Sequence, residues 1–196
     1  MKNKSDLRFD VIKNFLIYFY PVSNELVNEL AQISTQKVVK SHEIILKNGE
    51  KCSKVFLIVT GILRCYIINQ RKEITTWISC DNELATSIAS FFTDKKSNEN
   101  IQTLEKSTLI IFEKNKLENI FKKHPEFNEV VRKILQLYYA QAEERAYITR
   151  LPHVTDKWNY LFTNLNKFIY RVPLKYTALF LGVRQETLSR IRKLIK

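Results

Sequence analysis

Residues 173–196 read Pro-Leu-Lys-Tyr-Thr-Ala-Leu-Phe-Leu-Gly-Val-Arg-Gln-Glu-Thr-Leu-Ser-Arg-Ile-Arg-Lys-Leu-Ile-Lys. This order of residue types fits two short helices joined at a glycine. Pro173 suits a first helical turn, where a missing N–H costs nothing. Ala178 is small enough to let a second helix approach. Gly182 follows Leu181 and fits a helix end that needs positive φ. Leu181, Val183, Leu188 and Ile191 can pack between the helices. The second helix is expected from about Gln185, with Leu188, Ile191 and Ile195 on its buried face. Gln185, Glu186, Ser189, Arg190, Lys193 and Lys196 are left for the other face. Ala178, Gly182 and Leu188 have the offsets of a helix-turn-helix.

Such a second helix can lie in a DNA major groove with its first residues on base edges. Arg190 can donate to guanine O6 and N7, Glu186 can accept from cytosine N4, and Gln185 can read adenine. Lys175, Tyr176, Thr177, Arg192 and Lys193 suit phosphates, which position a protein without reading sequence. Arg184, Thr187 and Ser189 complete the set expected on DNA.

Charge agrees with this reading. The 196 residues carry 32 Lys and Arg against 20 Asp and Glu, a net charge of +12. Half of that excess lies in residues 171–196, which hold seven basic side chains and one acidic. A basic excess fits a polyanionic partner: nucleic acid, a membrane surface or an acidic protein. Other classes are excluded or disfavoured. Three glycines in the whole chain leave no phosphate-cradling glycine loop. No apolar run reaches the roughly 18 residues of a membrane span, and Met1 to Asp10 lacks a signal-peptide pattern. Cys52, Cys65 and Cys80 are odd in number and widely spaced. They form neither a disulfide framework nor an iron–sulfur set, which points to a reducing cytoplasm and small buried residues. His42, His124 and His153 have no metal-ligand spacing, so no metal and no cofactor is expected. No nucleophile, base and orienting group cluster in the sequence, and the chain is not expected to be an enzyme.

Upstream, residues 5–33 have helical periodicity, interrupted at Pro21, and Ser23 can cap a second helix. From Gln36 to Phe112 short β-branched and aromatic runs take over: Val38–Leu46, Val55–Thr60, Ile62–Ile68, Glu73–Ile78, Leu84–Ala89 and Thr108–Phe112. Their spacing predicts an antiparallel barrel or sandwich. Helical periodicity returns at Lys114–Lys123 and in a long helix over 126–150. A further helix carries Trp158, Leu161, Phe162, Leu165, Phe168 and Ile169. The long helix has an apolar stripe, and Phe127, Val131, Ile134, Leu135 and Tyr138 are expected to form a two-fold dimer seam. The stripe also suits packing on the β-rich part.

Val183-Arg184-Gln185-Glu186-Thr187-Leu188-Ser189-Arg190-Ile191 resembles the recognition helix of the Crp/Fnr family of bacterial transcription regulators. Lys47-Asn48-Gly49-Glu50 followed by Val55–Gly61 resembles the early strands of that family's cyclic-nucleotide-binding-type β-roll. Asn82-Glu83-Leu84 falls where the family begins its Gly-Glu phosphate cassette. The resemblance implies an α+β fold. An antiparallel, jelly-roll-like roll domain (1–125) is followed by a dimerisation helix (126–150) and a helix-turn-helix domain (151–196) without a C-terminal wing. It implies base reading by Glu186 and Arg190. Gln185 stands in place of the family's first arginine and changes the preferred site. Arg184 replaces a helix-start residue that accepts hydrogen bonds. The implied effector pocket comprises Asn82, Glu83, Leu84, Ala85, Ser97 and Asn98. Asn82 replaces the cassette glycine, no arginine stands at 97–102, and Glu99 repels an anion, so cyclic AMP is expected to bind weakly or not at all. The implied partners are double-stranded DNA, a second copy, RNA polymerase and a small-molecule effector, with no membrane. A ligand-binding or protein-interaction module docking an acidic partner through the same basic helices is the alternative.

Overall fold

The computed structural model describes residues 4–164 and 169–194. The expected apolar positions Leu165, Phe168 and Ile195, and the outward Lys196, lie outside the described residues. The elements are α1 (Lys4–Ile17), α2 (Asn24–Ile33), β1 (Thr35–Val39), β2 (Ile44–Leu46), β3 (Lys54–Thr60), β4 (Leu63–Asn69), β5 (Lys72–Ser79) and β6 (Leu84–Ala85). There follow α3 (Ile88–Thr93), β7 (Asn100–Thr103), β8 (Ser107–Glu113), α4 (Lys114–Lys123), α5 (Pro125–Arg150), α6 (Val154–Asn164), α7 (Leu174–Leu181) and α8 (Gln185–Leu194).

The strands form two four-stranded antiparallel sheets, ordered β1-β8-β3-β6 and β2-β7-β4-β5. Their inner faces enclose Phe56, Ile58, Leu63, Cys65, Ile101 and Leu109. The mixed helix and jelly-roll architecture is the one expected. The first helices also follow the sequence: the Ser23 side chain accepts from the Leu26 N–H and caps α2. Two long strand expectations are corrected. The run 38–46 is broken into β1 and β2 by a turn in which His42 takes φ 62°. Thr103 Oγ1 holds that turn, accepting from the Glu43 N–H at 3.0 Å and donating to the Lys40 carbonyl at 2.6 Å. The run 84–89 pairs only through Leu84 and Ala85; the chain then enters α3, where the Ser90 hydroxyl accepts from the Cys52 N–H at 2.9 Å. β7 is a strand within a stretch too polar to suggest one. It pairs with both β2 and β4 and buries Ile101 completely.

The expected dimer seam is corrected most sharply. Phe127 and Ile134 are buried within their own chain, as is Val130 between them. They pack with α1, α2, α4 and the outer face of β3 and β8, and Val131 and Tyr138 pack against the same cluster. The Tyr138 hydroxyl accepts from the Leu84 N–H at 2.6 Å and donates to the Leu84 carbonyl at 3.1 Å, which ties α5 to the edge strand β6. Of the expected seam residues, Leu135 is the exposed one.

A third core lies where α6, α7 and α8 meet. Trp158, Leu161, Phe180, Leu181, Leu188 and Ile191 share it with Ile62, Ile78, Cys80 and Leu104 of the β-roll. The C-terminal helices therefore complete their core against the second sheet.

Gly61, between β3 and β4, has φ +126°, and a Cβ there would lie 2.5 Å from Ser107 Cβ and 2.8 Å from its Cα. Gly61→Ala is expected to destabilise the fold by about 2 kcal/mol or more, through strain and overpacking together. Denaturant unfolding of the variant checks this.

Candidate DNA-binding surface and effector region

The α7–α8 hairpin closes at Gly182, which takes φ 66° and caps α7 through the Ala178 carbonyl. Leu188 and Ile191 are buried. Arg184, Gln185, Glu186, Arg190, Arg192 and Lys193 are exposed, with Thr187 and Ser189 half-buried beside them. The start of α8 thus presents a cation, an amide and a carboxylate to solvent, the donor and acceptor types that base edges require. Lys175 is also exposed.

Two of the expected DNA contacts are turned away from this surface. Thr177 is 2% exposed and belongs to the interior. The Tyr176 ring lies 4.2 Å from the Arg64 guanidinium carbon, and the Tyr66 ring lies 4.1 Å from it on β4. Arg64 is 2% exposed. Its Nε and Nη2 donate to Gln102 Oε1 at 3.0 and 2.8 Å, and Nη2 also reaches Glu73 Oε2 at 2.7 Å. Gln102 stands directly across from Arg64 in the β4–β7 ladder. Stacked rings and charge-assisted hydrogen bonds offset part of the cost of burying this guanidinium, whose Nη1 is buried without a hydrogen-bond partner among the described residues. A second link joins the units nearby. Arg171 pairs with both Asp81 and Glu105, and Asp81 also accepts from the Gly61 N–H at 2.6 Å.

The expected effector residues divide. Asn82 is exposed in a turn at φ 62°, a left-handed conformation in place of the family's glycine. Glu83 accepts from the Cys80 N–H at 3.0 Å. Asn98 is exposed, and its carbonyl accepts from Asn48 Nδ2. Ala85 is buried in the roll, and Leu84 lines a cavity beneath α5. Ser97 is buried, its hydroxyl within hydrogen-bond distance, 3.0 Å, of both Ser87 Oγ and the Glu99 carbonyl. The Glu99 carboxylate accepts from Ser87 at 3.1 Å and from Thr76 at 3.3 Å. A carboxylate, rather than a cation, therefore occupies this polar cluster. Burial is the main cause that pushes the nearby Cys65 thiol well above its ordinary pKa, with the Glu99 charge adding to it. All three cysteines are buried and free.

Among the described residues, one group could hold a metal: Glu25, Glu29 and His124, the last being the residue between α4 and α5. Lys123 already pairs with Glu29 and lies 3.6 Å from Glu25. Its hydrogen bond is the leading cause that holds the Glu29 pKa below the usual carboxylate value. The local cation there is the lysine.

A two-sheet roll, a long helix laid along it and a helical hairpin with a basic outer face define a β-roll joined to a helix-turn-helix. Residues 36–124 match the family described as the cyclic nucleotide-binding domain. The fold of the whole is that of the Crp/Fnr-type regulators. A protein from Eubacterium rectale assigned to the Crp/Fnr family of transcriptional regulators superposes with TM-score 0.71 at 15% identity, over 92% of this chain and 87% of that one. The c-di-GMP-responsive global regulator CLP of Xanthomonas campestris gives 0.70 at 14% identity, over 88% and 91%. FixK2 of Bradyrhizobium japonicum gives 0.68 at 15% identity, over 83% and 84%. No curated protein sequence matches the chain. No helix of the described residues is long and apolar enough to cross a membrane.

The Arg171 pairing gives a pH prediction. Although burial opposes it, hydrogen bonding to Arg171 and the Gly61 N–H holds the Asp81 carboxyl below its ordinary pKa. A depressed folded-state pKa contributes stability that is full above the unfolded value of about 3.9 and is lost as pH falls through the folded value. Wild type should therefore lose stability below about pH 4 more steeply than Asp81→Asn, as measured by denaturant midpoints from pH 6 down to 2.5.

Proposed function

We propose that the chain is a dimeric, sequence-specific DNA-binding transcription regulator that reads a pseudo-palindromic site through α8. The observation that carries the reading is the split of that helix. Leu188 and Ile191 are buried, while Arg184, Gln185, Glu186, Arg190 and Lys193 face solvent. Arg190 and Glu186 are assigned to base edges, with Gln185 as a further reader. Lys175, Arg192 and Lys193 are assigned to phosphates.

A new seam on α5 supports the dimer. Leu135, Tyr139 and Ala142 are exposed, Ala146 is half-buried, and they are spaced four, three and four residues apart. This is the alternation of a coiled-coil contact, and the two alanines allow close helix approach. Pairing there would set two α8 helices about one DNA turn, ~34 Å, apart. Division of the chain into roll (1–125), dimerisation helix (126–150) and DNA-binding helices (151–196) belongs to this reading. So do RNA polymerase and a small-molecule effector as further partners. Cyclic AMP is a poor fit for the effector, because Glu99 lies where a phosphate would need a cation. Free, buried cysteines accord with a reducing cytoplasm.

Binding-site selection on purified protein, followed by gel-shift titration, tests the reading. Arg190→Ala is expected to cost about 1–3 kcal/mol and relax preference at one base pair per half-site. Lys193→Ala should weaken all sequences alike and lower the salt slope by about one. Uniform binding to every duplex would instead favour the docking of a general acidic partner. Tyr139→Glu places a charge in the seam and should shift the protein from dimer to monomer in sedimentation equilibrium, with its thermal melt little changed.

A further inference from the structure

Beneath α5 lies a cavity of about 200 Å³, walled by α1, α3, α4, the roll and the inner face of α5. Its walls are almost wholly apolar, with aromatic rings from Phe15, Phe91, Phe112 and Phe127. Arg145 is the one charged side chain among the described lining residues. Along α5 the inner face changes in order: Val131 and Ile134, then Tyr138, then Gln141 and Arg145. At 1.5 Å per residue, the apolar start and the cationic end of this face lie about 21 Å apart. The cavity is therefore elongated and amphipathic, apolar along its length and cationic at one end.

The polar groups of the wall are not equally available. Ser79 and Thr86 hydroxyls donate to the backbone carbonyls of Leu84 and Lys54. Tyr138 is committed to Leu84. Among the described residues, the groups that act on Arg145 do so through space: Tyr138, Glu83, Glu99 and Cys65. Burial is the leading cause that holds the guanidinium below its ordinary pKa. A half-buried cation without a bound countercharge is unfavourable, and a carboxylate matches its planar fork.

We propose that this cavity binds an unbranched, apolar-chain carboxylate of the fatty-acid class, with the chain along α5 and the head group on Arg145 and Gln141. A cyclic nucleotide would bring a polar sugar and base into a wall of phenylalanines. A neutral lipid would leave Arg145 without a countercharge. Occupancy would bear on the Tyr138–Leu84 link between α5 and β6, and so on the seam and the hairpin beyond it. That regulatory use rests on the DNA-binding reading, whereas binding itself does not.

Calorimetric titration of the full chain, without DNA, with sodium dodecanoate and 1-dodecanol below their aggregation concentrations tests the proposal. Dodecanoate is expected to bind one per chain, and decanoate on the order of tenfold more weakly, from the loss of two buried methylenes. Dodecanol should bind at least tenfold more weakly than dodecanoate. Arg145→Gln should lose that preference while still binding dodecanol as wild type does, which separates a lost head-group contact from a lost fold. Absence of saturable dodecanoate binding, or equal affinity for acid and alcohol in wild type, would overturn it. Because no DNA is present, failure here and failure of the DNA-binding reading are distinguishable.

Discussion

Burial of one guanidinium organises the joint between the roll and the C-terminal helices. Arg64 projects from the outer face of the second sheet, where a strand facing water would hold its charge cheaply. It is covered instead by α7, and part of the cost of desolvation is offset by two aromatic faces, one amide and one carboxylate. Three of these four partners come from the sheet: Tyr66, Gln102 and Glu73. The fourth, Tyr176, comes from the hairpin. Tyr176 joins this set only when α7 lies on the roll, and Arg171 adds its two carboxylate contacts at the same joint. The orientation of α8 follows, because α7 and α8 share one core.

The long helix α5 serves on two faces. Its inner face buries Phe127, Val130 and Ile134 against the N-terminal helices and the first sheet. Its outer face carries Leu135, Tyr139 and Ala142 in solvent. A helix with a broad apolar stripe can supply both only if the stripe is wider than one packing surface. The Tyr138 hydroxyl, bonded to both backbone groups of Leu84, makes the position of β6 sensitive to the position of α5.

Much of this was legible in the sequence. Pro173, Gly182, Leu188 and Ile191 located the hairpin because each is demanded by local backbone geometry or by a short-range contact. Ser23 located the start of α2 for the same reason. What was illegible depended on partners distant in the chain. Arg64 and Tyr66 lie in a run that reads only as a strand, since nothing local reveals that residues beyond 170 cover them. Tyr176 and Thr177 read as phosphate contacts, because a polar residue near a basic helix looks the same whether it faces DNA or a sheet. Phe127 and Ile134 read as a seam between copies, since apolar periodicity gives a buried face without naming what buries it. β7 was hidden because Asn100, Gln102 and Thr103 are polar; its pairing is dictated by β2 and β4 on either side.

The shared core of the C-terminal helices carries an evolutionary consequence. Ile62, Ile78, Cys80 and Leu104 form one wall of the hydrophobic interior that also holds Trp158, Leu188 and Ile191. The hairpin is thus not a detachable cassette. Transplanting it onto another roll by recombination would strip that wall and leave its apolar side open, unless the recipient supplied matching residues at the same four places. Divergence in this chain is correspondingly constrained to paired change. A substitution in the roll at these positions must be answered in the helices, so the two halves can drift only together.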